Sequence, residues 1–119
     1  MMIETVKQLI ATLKPSLSFV ELRAHSTDRY LEAVFLRPEL LSCCETIRHA
    51  LGSPVKDFGE PAKFEPHIEK VVDLLGGIRI EQCLFFAKGD QQAVAYAALW
   101  PWASDTDRIT LKVGFLQLK

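Results

Sequence analysis

The sequence predicts an α+β fold: a mostly antiparallel sheet, made of an N-terminal hairpin and a C-terminal three-stranded meander, with about three helices packed on one face. Two observations predict it. Apolar residues recur at helical spacing in three segments, and five runs rich in branched and aromatic residues are separated by turn-forming clusters. The order helix, hairpin, two helices and meander then places helices against an antiparallel sheet.

Met2, Ile3, Val6, Leu9, Ile10 and Leu13 mark one helical face, with Glu4, Lys7, Gln8 and Lys14 on the other, and Pro15 ends the pattern. Leu17–Ala24 and Tyr30–Leu36 form a hairpin around the turn cluster His25-Ser26-Thr27-Asp28-Arg29. Pro38 stands at a first helical position, Leu40, Leu41, Cys44, Ile47 and Leu51 share a face, and Gly52 caps the end. Residues 53–65 hold two prolines and a glycine and lack either period. A connection this long is either a lid or a crossover anchored by Phe58 and Phe64, and the anchor is favoured because an unanchored loop tends to be disordered.

The third helix begins at Pro66, buries Ile68, Val71, Val72 and Leu75, and stops at Gly76-Gly77. Ile78–Lys88, Gln91–Trp100 and Arg108–Leu118 complete the sheet as a meander. Gly89-Asp90 reads as a two-residue hairpin loop, which pairs Lys88 with Gln91. In that register Phe86, Leu84, Gln82 and Ile80 oppose Ala93, Ala95, Ala97 and Leu99, and a symmetric closure of the next loop adds Phe115, Val113, Leu111 and Ile109. This alanine column flanked by bulky residues is assigned to the core. The opposite face carries Trp100 between Arg79 and Arg108, Tyr96 between Cys83 and Lys112, and Phe85 beside Val94. It mixes aromatic with charged groups and is read as half-covered.

Composition narrows the function. The chain has 119 residues, 14 Lys plus Arg against 15 Asp plus Glu, and 49% hydrophobic residues, which suits a single globular domain and excludes a disordered tail. Charge is even, −1 over residues 1–60 and 0 over 61–119, so neither half is a basic arm for nucleic acid or lipid. Three cysteines, two of them adjacent, do not make a disulfide framework, and a reducing cytoplasm is expected. The first residues read as a helix rather than a targeting segment, and no apolar run is long enough to span a membrane.

No phosphate loop, dinucleotide fingerprint, nucleophile elbow or metal-ligand spacing is present. His25, His49, His67, Cys43, Cys44 and Cys83 fit no ligand pattern, so neither a metal nor a cofactor is expected. The candidate site is therefore the mixed sheet face: Arg79, Tyr96, Trp100, Arg108 and Lys112, with His67 at the start of the third helix as an acid or base. Tryptophan, tyrosine and arginine are favoured at protein interfaces. The expected function is a non-enzymatic interaction or self-association module, a homodimer through this face. The alternative is a small enzyme or carrier in which the three basic residues hold an anionic metabolite against the two rings.

Overall fold

The computed structural model describes residues 2–61 and 63–117. Helix α1 spans Met2–Ser16, strands β1 and β2 span Phe19–Leu22 and Leu31–Leu36, and a 3-10 turn over Arg37–Glu39 leads into α2, Leu40–Leu51. Helix α3, Pro66–Leu74, is followed by β3 (Cys83–Lys88), β4 (Ala93–Pro101) and β5 (Arg108–Gln117). The predicted helices are all present. The first continues past Pro15 to Ser16, and the Leu17 N–H beyond it still donates to Leu13 O at 3.1 Å. Of the predicted third strand, Leu118 lies outside the described residues, as does Ala62 of the long connection.

The five strands form one antiparallel sheet in the order β1-β2-β5-β4-β3. The hairpin thus joins the free side of the meander, with β2 beside β5. Only α1 and α2 pack on the first face, where Val6, Leu9, Ile10, Leu13, Cys43 and Ile47 meet Leu31, Phe35, Phe85, Leu99 and Leu111. Helix α3 packs on the opposite face, where Ile68, Val71 and Val72 meet Leu84, Phe86, Val94, Tyr96 and Ala98. The fold class stands as predicted, with the helices divided between the faces.

That division follows from the register of β3. The observed ladder pairs Lys88 with Val94 and Phe85 with Ala97, rather than Lys88 with Gln91. The slip is odd in number, so it turns β3 over relative to β4. Leu84 and Phe86 leave the alanine column and face α3, while Cys83 and Phe85 take their places beside Ala95, Ala97 and Leu99. The cause lies in the loop, where Gln91 and Gln92 adopt left-handed conformations (φ 57° and 62°) and Gly89 N–H bonds Ala93 O at 2.8 Å. Between β4 and β5 the ladder is offset by two residues from the symmetric closure, pairing Ala97 with Val113, and the predicted faces hold.

The connection after α2 is tied to the sheet. Val55 and Lys56 N–H groups donate to Leu84 O, Leu84 N–H donates back to Lys56 O, and Gly59 N–H donates to Ile80 O. Phe58 packs on the first core and Phe64 on the second. The segment is an anchored crossover that covers the outer edge of β3. Residues 78–82, predicted as strand, form a turn closed by Gln82 N–H on Arg79 O at 3.0 Å. Ile80, placed in the core by the predicted register, is therefore exposed.

Candidate functional site

Helix α3 packs on the β3 and β4 side of its face; no described helix lies over the strands toward β1, where Val34 and Thr110 are nevertheless buried among the neighbouring side chains. Strand alternation brings Glu32, Val34 and Leu36 of β2 and Arg108, Thr110 and Lys112 of β5 to this surface, paired as Glu32·Lys112, Val34·Thr110 and Leu36·Arg108. Trp100 pairs with Thr110 and stands at the border of the covered half. Trp102, beyond the end of β4, pairs through its N–H with Arg108 O, and its indole Nε1 donates to Thr110 Oγ1 at 2.8 Å.

Two cation–ring contacts run along this surface. Lys112 Nζ lies 4.2 Å from the Trp100 ring centre, and the Arg108 guanidinium lies 5.6 Å from that of Trp102. Trp100 Nε1 is buried without a hydrogen-bond partner among the described residues. The two indoles thus use their faces alike and their N–H groups differently.

A polar cluster adjoins Lys112. Glu32 accepts hydrogen bonds from Tyr30 Oη at 2.7 Å and pairs with His25 Nε2 at 3.0 Å, and Arg23 Nε stands 3.5 Å from its other oxygen. Burial alone pushes the Glu32 carboxyl up, yet the Tyr30 and His25 contacts and nearby Lys112 outweigh it and hold the group below its ordinary range. Tyr30 is correspondingly raised, first by burial and then by the carboxylate beside it. Its ring stacks on His25 with centres 5.7 Å apart.

The predicted site residues separate. Trp100 and Lys112 meet, and Arg108 belongs to the same surface but pairs with Asp105 at 3.3 Å. Tyr96 is buried beneath α3 rather than offered to a ligand, and burial pushes its phenol up. Arg79 is exposed in the 78–82 turn, not beside Trp100. His67 packs edge-on against Phe86 at 5.8 Å, with Nδ1 3.5 Å from Glu65. Phe86 pairs with Tyr96, four residues along β4 from Trp100, or about 13 Å. Arg79, Arg108 and Lys112 therefore do not converge into an anion pocket.

Arg23, His25, Tyr30 and Glu32 are the residues of this surface that sequence reasoning missed. Their signal is the alternation within Tyr30–Leu36, which has meaning only once β2 is placed beside β5. Among the described residues no group of three His, Cys, Asp or Glu side chains is placed to hold a metal ion, and no helix is long and apolar enough to cross a membrane. Comparison with protein-family models, with curated proteins and with solved structures finds no match.

Proposed function

We propose that the chain is a non-enzymatic protein-interaction module, and that its contact surface is the open half of the sheet face bordered by α3. The observation that supports this reading is that no described helix lies over the face beyond Trp100: Trp100, Trp102 and Leu36 are partly exposed there among Lys112, Arg108 and Glu32, above a floor in which Val34 and Thr110 are buried. Flat aromatic platforms with a charged margin match the composition of protein interfaces. The fitting partner is a peptide segment with apolar anchors and at least one carboxylate, set against the indoles and the neighbouring cations. Three free thiols suit a reducing cytoplasm as the place of action.

The test is selection of a displayed random-peptide library on the wild-type protein. Peptides recovered by this surface bind with micromolar affinity and lose about tenfold or more on Trp100→Ala or Trp102→Ala. A selection whose binders are indifferent to both substitutions overturns the reading.

A further inference from the structure

The two edges of the sheet are finished differently. The outer edge of β3 is covered by Val55 and Lys56, whereas β1, the opposite edge, has no strand on its outer side among the described residues. Strand β1 is only four residues long, yet Val20 and Leu22 are 41% and 53% exposed. Arg23 N–H donates to Glu32 O at 2.9 Å, so Arg23·Glu32 is a hydrogen-bonded pair and Leu22·Ala33 is not. The Leu22 N–H and C=O groups therefore point outward from the edge.

We propose that β1 pairs antiparallel with β1 of a second copy of this chain, about a two-fold axis at Leu22. The outward groups of Leu22 then bond reciprocally to those of Leu22 in the second copy, and the two leucine side chains meet. Charge selects the register. Centred on Leu22, each Glu21 lies opposite Arg23 of the second copy; centred on Glu21, two carboxylates oppose each other. A short, charged, bulged edge repels a general strand. This one is complementary to itself when centred on Leu22, and Glu21 and Arg23 already stand 2.8 Å apart within one chain.

The two-fold axis runs through the sheet, so both copies keep the same face on the same side. Because α3 packs on the strands farthest from β1, the parts of β5, β2 and β1 that no described helix covers on this face become neighbours in the two copies. They form one groove floor roughly 25 Å across, walled by the two α3 helices. This last step rests on the proposed use of the open face; the strand pairing does not.

Sedimentation velocity over the micromolar range tests the pairing. The wild type is expected to dimerise, and Leu22→Pro to weaken the dimer about tenfold or more, with circular dichroism and melting temperature preserved because that amide makes no bond to β2. Glu21→Lys has the same effect by placing Lys opposite Arg23 of the second copy, and covers the case in which the proline variant does not fold. Trp100→Glu leaves the mass unchanged. A monomeric wild type, or a dimer sensitive to Trp100→Glu and indifferent to Leu22→Pro and Glu21→Lys, overturns the proposal. Selected peptides that still require Trp100 on the monomeric variant leave the interaction reading in place whatever the mass.

Discussion

The phenol of Tyr96 crosses directly over Gly114 on the neighbouring strand: a Cβ at that position would stand 2.7 Å from Cζ and 2.9 Å from Cε1 of the ring. A ring held beneath α3 has little room to withdraw. Gly114→Ala is expected to destabilise by about 1–3 kcal/mol through overpacking. Tyr96→Leu in the alanine background recovers part of that loss by removing the ring. Urea denaturation of the two variants measures both effects.

The two indoles separate a packing role from a hydrogen-bonding one. Trp102→Phe gives up the bond to Thr110 Oγ1, whereas Trp100→Phe gives up none to the described residues, among which that Nε1 has no partner. Beyond the packing each loses, Trp102→Phe is expected to cost about 1 kcal/mol more. Thr110→Val removes that difference in a double-mutant cycle, and a cycle with no coupling overturns the assignment.

Much of this arrangement is legible in the sequence, and the parts that are not have local causes. The helices follow from periodicity, and the alanine column follows from β4 and β5, whose two-residue offset preserves parity. The mixed face was legible as mixed but misassembled. Glutamine rarely takes a positive φ, so Gln91 and Gln92 gave no warning that the Gly89-Asp90 turn would not close as two residues. That local choice turns β3 over, removes Arg79 from the face and seats α3 on it. Glu32 and its neighbours depend on β2 lying beside β5, a pairing between segments about seventy residues apart that no local pattern encodes.

Glu32 makes acid stability measurable. Its folded carboxyl gives up its proton at lower pH than the unfolded one, so its contribution is present above the unfolded pKa and is lost as pH falls through the folded value. Glu32→Gln is expected to cost about 1 kcal/mol near neutrality, and the difference from wild type shrinks below about pH 4. Urea midpoints across that range check it.

The thiols act at the other end of the scale. Burial pushes Cys83 up to about 12 and Cys44 to about 11, and raises Cys43 as well. A raised folded pKa means that their contribution is full below the unfolded thiol value and is lost as pH rises through the folded values. Lys56, lowered by burial, works in the opposite sense just below the ordinary lysine value. Three thiols, joined at higher pH by the raised phenols of Tyr30 and Tyr96, against one amine give a net fall in stability above about pH 9. Replacing Cys43 and Cys83 with alanine is expected to flatten that fall in a urea series.

Lys56 is 1% exposed, and its Nζ donates to the carbonyl oxygens of Asp57, Ile80 and Gln82 at 2.8, 2.7 and 2.5 Å. Lys56→Met keeps the apolar stem and deserts three acceptors, for an expected loss of about 3 kcal/mol. It also loosens the segment lying along β3. Faster hydrogen exchange at the Leu84 amide, together with light scattering that grows on standing, is the expected result.

A sheet guarded on one side has only one side on which it can grow. If copies add through β1, the event that joins two of them uses up the free edge of each, and the next molecule meets Val55 and Lys56 on either flank. One buried ammonium group thereby separates a closed pair from an open-ended filament, a limit on assembly size set some distance from the surface at which assembly occurs.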